Sequence, residues 1–155
     1  MNNQAVPRLP VTWRPRNMRV VGYGLAVLCM ATMVTLAIIL PETWRLQDRL
    51  GLVFLGLLLV GGLYLLTRPK VVVAESSVTV VNVIRTYVLE WAEIIDVRMP
   101  VGEPWPTVDL ADGSTLAVMG IQSNDGALAR SCLAQFRALL HERGEAQEPG
   151  DNGPS

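Results

Sequence analysis

The sequence predicts an α+β membrane protein. Two transmembrane helices come first, and a small antiparallel β-sheet or partial barrel closed by one C-terminal helix follows. Three observations predict this. Residues 20–40 and 50–67 are two uncharged apolar runs. From Val71 the pattern turns to short runs rich in β-branched residues. Residues 123–143 then carry one apolar stripe at helical spacing.

Composition agrees with the membrane half of that reading. Hydrophobic residues make up 50% of the 155-residue chain and charged residues only 17%. Soluble domains usually carry about a quarter charged.

Residues 1–19 form a basic N-terminal segment, in which Arg8, Arg14, Arg16 and Arg19 precede the first acid. Residues 20–40 follow as the first span; at about 1.5 Å per residue they reach roughly 31 Å, the thickness of a hydrocarbon core. A signal peptide would have a shorter apolar core and a small-x-small cleavage site, whereas this run ends in Pro41-Glu42. The connector 41–49 carries two charges of each sign, and residues 50–67 form the second span. Backbone amides in lipid must be satisfied internally, so both runs should be helices. Arg14, Arg16, Arg19, Arg68 and Lys70 flank the spans on one side, which places both termini in the cytoplasm and the connector outside. The expected location is therefore the cell membrane, with two spans. Trp13, Trp44 and Tyr64 fall where aromatic side chains settle at an interface. Gly22 and Ala26 form a small-xxx-small pair suited to close helix approach.

Residues 70–144 should form the cytoplasmic domain, with the tail 145–155 too polar to fold. Strands are expected at 70–75, 78–84, 87–91 and 94–99. In the last of these, Ile95 and Val97 should share one face. A proline-rich loop spans 100–106. Residues 107–120 read as a hairpin around Asp112-Gly113, a pair that suits a type I′ turn. That gives six strands. The closing helix should be capped by Ser123 or Asn124, with Asp125 at its positive end and Gly144 stopping it. Its stripe is Leu128, Cys132, Leu133, Phe136, Leu139 and Leu140.

The stretch YVLEWAEIIDVRM, residues 87–99, sets Glu90, Glu93 and Asp96 around Trp91. Such carboxylates could be acid/base machinery or the corner of a small β-structure. The corner reading is preferred. It buries Trp91 with its N–H on a carbonyl and lets Glu93 satisfy backbone amides.

Other chemistry finds no residues to carry it. The single histidine, His141, lies near the end of the last helix, away from any nucleophile or ligand set. Cys29 and Cys132 read as small buried hydrophobes. No glycine-rich phosphate loop is present, and neither span holds an ionisable group to serve transport. Residues 71–141 hold eight acids and four bases, a net of −4, which excludes a nucleic-acid face and predicts weak repulsion from an anionic leaflet. The expectation is no enzyme, no cofactor and no metal.

The strand pair VTVVNVIRTYVLEW, the element WAEIIDV, the hairpin LADGSTLAV and the closing helix together resemble the bacterial pleckstrin-homology (PH) domains. The group named after a low-molecular-weight protein antigen is the most similar. The resemblance covers about residues 40–141 and implies a PH-like domain after paired transmembrane helices. Its fold-signature positions are Trp91, Glu93, Ile94, Asp112 and Gly113. A full PH fold has seven strands, one more than the pattern supplies. The first turn, Glu75-Ser76-Ser77, lacks the bases of phosphoinositide-binding members, which argues against such a ligand. The implied function is a membrane-anchored interaction module, binding a protein in preference to lipid. The alternative is an assembly subunit acting through its spans. The expected partners are the lipid bilayer and a protein.

Overall fold

The computed structural model describes residues 7–145. The expected polar tail therefore lies outside the described residues, apart from Glu145. The chain divides into two compact units, residues 16–69 and the remainder.

Among the described residues the first element is strand β1 (Val11–Trp13). The chain then forms helix α1 (Arg16–Ile39) and helix α2 (Leu46–Thr67). Each helix is long and apolar enough to cross a membrane. Both start about one turn earlier than the uncharged runs suggest, because Arg16, Arg19, Asp48 and Arg49 are taken into first turns. The helices pack as a hairpin. A Cβ on Gly22 would collide with Thr67, and one on Gly56 would lie 3.1 Å from Met33 Cβ, so small residues set the approach. Arg49 closes the end of α1. Its guanidinium donates to the carbonyls of Ala37 (2.9 Å), Ile38 (3.2 Å), Leu40 (2.7 Å) and Pro41 (3.4 Å). Ala37 and Ile38 lie in the last turn of α1, whose carbonyls a helix end leaves without partners. At the start of α2 the Arg45 amide donates to the Asp48 carboxylate at 2.9 Å.

The second unit continues with β2 (Lys70–Val73), β3 (Ser77–Val81), β4 (Thr86–Glu90), β5 (Ile94–Arg98), β6 (Thr107–Leu110), β7 (Thr115–Ala117) and helix α3 (Ala127–Glu145). Two antiparallel sheets result, in the orders β1-β2-β3-β4 and β5-β6-β7. They are not closed into a barrel. A 3₁₀ turn at Trp91–Glu93 carries the chain from one sheet to the other.

Strand β1 corrects the sequence expectation most. Val11 pairs with Val73 and Trp13 with Val71. The segment expected to be a basic flank thus supplies a seventh strand, and the helical hairpin is inserted between β1 and β2. Trp13 sits in the core at 6% exposure, not at a membrane interface. Its ring lies 5.6 Å from that of Phe136, and the Trp91 ring meets the same phenylalanine edge-on at 6.4 Å. Around these rings the core gathers Val71, Val80, Leu89, Ile94, Val97, Val108 and Leu139.

Three local expectations also change. The register shifts between Ile94 and Asp96, so Ile94 and Val97 both face inward while Ile95 is exposed. A bulge resets the two-residue alternation that the sequence pattern assumes. The Asp112-Gly113 turn is not type I′. Gly113 has φ 82°, and no described non-glycine residue has positive φ. The Gly113 N–H donates to Leu110 O and the Leu110 N–H to Ser114 O, both at 2.9 Å. That is a three-residue loop in which glycine alone takes the left-handed position. Finally, α3 begins at Ala127 after a 3₁₀ turn at Ser123–Asp125 and runs through Gly144 to Glu145. Leu128 is exposed, and Ala129 takes its place in the core.

Candidate functional site

The register sorts the loops of this unit into two ends. Lys70 pairs with Val81 and Trp13 with Val71, so the 82–85 turn lies at the end where the chain leaves for the hairpin and returns. Arg98 pairs with Thr107 and Thr107 with Ala117, which brings loop 99–106 and the segment after β7 into line with each other. Asn82 joins the two sheets here. Its buried amide donates to Ala117 O at 2.7 Å and accepts from the Met119 N–H at 3.1 Å. The Val118 N–H donates to Pro106 O and the Ser123 N–H to Pro104 O, both at 2.9 Å. Three loops are thereby tied into one surface at this end of the β-unit. Close packing reinforces it. A Cβ on Gly120 would fall 2.7 Å from the Val71 amide nitrogen, so this position admits no side chain.

Two grooves open at this end. One, of about 410 Å³, is lined by Asn82, Val83, Ile84, Arg85, Tyr87 and Met119. The other, of about 260 Å³, lies between loop 99–103 and the start of α3, with Ala129, Arg130 and Leu133 on its helical wall. Both are shallow and open to solvent.

The opposite end holds the candidate acid/base residues. Trp91 is 4% exposed, and its indole N–H is shared between Ala74 O (3.3 Å) and Glu75 O (3.1 Å). Glu93 accepts from the Glu90 amide at 2.7 Å, and the Ala111 N–H donates to Glu93 O at 2.9 Å. Ile94 begins β5 and is buried. Asp112 accepts from the Ser114 amide at 2.8 Å. Hydrogen bonding from Ser114 holds the Asp112 carboxyl below the ordinary aspartate range. The five fold-signature residues therefore meet at one corner, where each completes a turn or fills the core. Asp96 stands apart on β5 and accepts from the Val97 amide at 2.7 Å. Neighbouring Arg98 pairs across the strands with Asp109 at 2.7 Å. That hydrogen bond raises the Arg98 pKa.

Cys132 is buried, and desolvation pushes its thiol pKa up, which suits packing and not nucleophilic attack. Among the described residues, no group of three His, Cys, Asp or Glu side chains is placed to hold a metal. The basic flank residues divide between the units. Arg14 and Lys70 belong to the β-unit, Arg16 and Arg19 lie in the first turn of α1, and Arg68 caps the end of α2.

The β-unit has seven strands in two sheets and a C-terminal helix, and residues 68–138 match the family model described as the bacterial PH domain. Strand β1 lies outside the matched range, on the far side of the hairpin, which is why the sequence pattern after Val71 yields only six strands. Curated relatives of the chain are uncharacterised proteins of Mycobacterium tuberculosis and Mycobacterium bovis, 33% identical over 97 residues. The match covers 63% of this chain and 63% of each relative. No solved structure matches the chain.

The sequence missed Trp13 and Asn82. A signal for Trp13 existed in Val11-Thr12-Trp13, a β-branched and aromatic run between Pro10 and Pro15. Asn82 had no comparable signal, since its partners lie 35 and 37 residues away.

Proposed function

We propose that the chain is a membrane-anchored, non-catalytic interaction module. In this reading α1 and α2 cross the cell membrane as a hairpin, and the PH domain is presented in the cytoplasm to receive a protein partner. The pairing of β1 with β2 carries the reading. One strand comes from before the hairpin and the other from after it. They can share a sheet only if both ends of the hairpin emerge on the same side. Two crossings meet that condition and one does not. The arginine-rich flanks make that side the cytoplasm.

The two sheets have four edge strands, β1, β4, β5 and β7, and the reading turns on β4 and β5. Each carries an exposed apolar residue, Val88 or Ile95. Unpaired edges recruit extended peptide segments by adding a strand.

The test uses full-length protein in its native membrane. It should resist alkaline carbonate extraction, and a cysteine placed in the connector should react only from outside the cell. Affinity capture should retain a stoichiometric protein that is lost in Val88→Asp and Ile95→Asp variants. Carbonate release removes the anchor. Capture that depends on the hairpin alone, unaffected by these variants, replaces the module with an assembly subunit.

A further inference from the structure

The edges of β4 and β5 differ in what already occupies them. The Asn82 N–H donates to Arg85 O, so 82 and 85 continue the β3–β4 ladder as a hydrogen-bonded pair. Bonded and non-bonded pairs alternate along an antiparallel ladder. Tyr87 and Leu89 therefore turn their backbone groups to β3, while Thr86, Val88 and Glu90 turn theirs outward. Glu93 takes the Glu90 amide at 2.7 Å. The outward groups of Val88 have no partner among the described residues, and its side chain is exposed.

Strand β5 is closed at the corresponding place. The Val118 N–H donates to Pro106 O, which makes 106 and 118 a bonded pair. Two residues on, Val108 is bonded to Leu116 of β7. Val108 is also the register partner of Val97, so Val97 shares no bond with β6 and turns both backbone groups to the outer edge. There its N–H donates to Asp96 Oδ1 at 2.7 Å, and its C=O accepts from Arg137 Nε, on α3, at 2.7 Å. The Ile94 N–H, at the start of the strand, donates to Trp91 O. A carboxylate one residue away and a guanidinium 40 residues away thus converge on the two outward groups of a single edge residue.

We propose that Asp96 and Arg137 latch the β5 edge, so that a partner's strand adds there only as both side chains release Val97. The inference rests on the reading that the β-unit receives a protein by strand addition, and it states how that site is regulated. The latch works by competition. An added strand brings a C=O for the Val97 N–H and an N–H for the Val97 C=O, the same two bonds that the side chains make. Hydrogen bonds to charged groups are stronger than those between neutral ones. A bare backbone therefore displaces the latch poorly, and a segment that also packs on Ile95, 64% exposed, displaces it better. The edge is protected from indiscriminate pairing yet stays open to such a segment. Asp96 and Arg137 are both exposed, so on release their charges pass to water and are not stranded in the core.

The experiment uses the full chain. Asp96→Ala and Arg137→Met open the latch singly and together. Arg98→Met is the control, because it removes a cation from the same strand whose partner is Asp109 and not Val97. Hydrogen exchange of the detergent-solubilised protein is read by electron-transfer fragmentation. The Val97 amide should exchange about tenfold faster in Asp96→Ala. Leu116, inside the β6–β7 ladder, should be unchanged, which also reports an intact fold. In native membranes, at limiting bait, the double variant should retain several-fold more of the protein that the unsubstituted chain captures, and Arg98→Met should retain no more of it. Unchanged exchange at Val97 overturns the latch. So does a double variant that retains no more than the unsubstituted chain while Ile95→Asp still loses the protein, and strand addition at β5 then stands without a latch. An equal gain in Arg98→Met overturns the latch as well, because loss of any nearby cation would suffice. Capture indifferent to both Ile95→Asp and Val88→Asp overturns strand addition itself, and the latch's role with it.

Discussion

The hairpin and the β-unit solve the same problem, satisfying backbone polar groups beside apolar side chains, in opposite ways. The hairpin exposes most of its large hydrophobics and buries chiefly small residues, among them Gly22, Ala37 and Gly56. Its hydrogen bonds are local, within each helix, and Arg49 closes the end of α1. The β-unit turns its apolar residues inward and relies on distant pairings, from Trp13–Val71 to Asn82–Ala117. The first design suits an apolar solvent and the second suits water. The comparison also shows that a unit need not be continuous in sequence. The hairpin is one segment, whereas the β-unit is assembled from the two segments that flank it.

The sharpest way to break this comparison is to excise the domain. Residues 70–144 alone lack β1 and Trp13, and the fragment should fail to give a cooperative thermal transition. Residues 7–15 joined to 70–145 by a short flexible linker should restore one. A folded 70–144 fragment would make β1 an accessory and not a part of the sheet.

Single core substitutions come next. In the linked domain, Trp91→Ala and Trp13→Ala should each cost about 3–5 kcal/mol in denaturant unfolding, because both leave a cavity against Phe136. A much smaller loss for Trp13→Ala alone would separate the N-terminal strand from the core. Asn82→Ala should cost about 1–3 kcal/mol by leaving the Ala117 carbonyl and the Met119 amide without their partner. On the hairpin side, Arg49→Ala removes charged bonds to four carbonyls and should cost about 1.5–3 kcal/mol, read as earlier loss of helicity when detergent-solubilised full-length protein is titrated with dodecyl sulfate. The linked domain, which lacks Arg49, should melt independently of that change.

The smallest effect is electrostatic. The Asp112 carboxyl is held low by Ser114, so its folded pKa lies below its unfolded value. Its contribution is therefore present above the unfolded aspartate range, near pH 3.9, and is lost as pH falls through the folded value. A carboxyl NMR titration should place the Asp112 midpoint below that of a free aspartate, and Asp112→Asn should remove the corresponding acid dependence.

Most of the elements could be read along the chain. The spans announce themselves by uninterrupted apolar length. The strands after Val71 do so by β-branched runs, and α3 by its stripe. Trp91 at a corner closed by Glu93 was also legible, because a buried indole needs an acceptor and a corner amide needs a carboxylate. Local patterns misled where a single residue changes the phase. The bulge at Ile94–Asp96 exposes Ile95, and one left-handed glycine converts the expected turn into a three-residue loop. The candidate surface was not legible in the same way. Asn82, Ala117 and Met119 are up to 37 positions apart and meet only through the fold.

The sequence by itself determined that the chain has two apolar helices and a β-rich domain, because hydrophobic length and periodicity are local properties. Tertiary structure alone decided that Val11–Trp13 belongs to that domain, across the whole hairpin, and that Asn82 ties the two sheets together. Both depend on hydrogen bonds between segments far apart in the chain, where the gain of one register over another is set by a shared core and not by any neighbour in sequence.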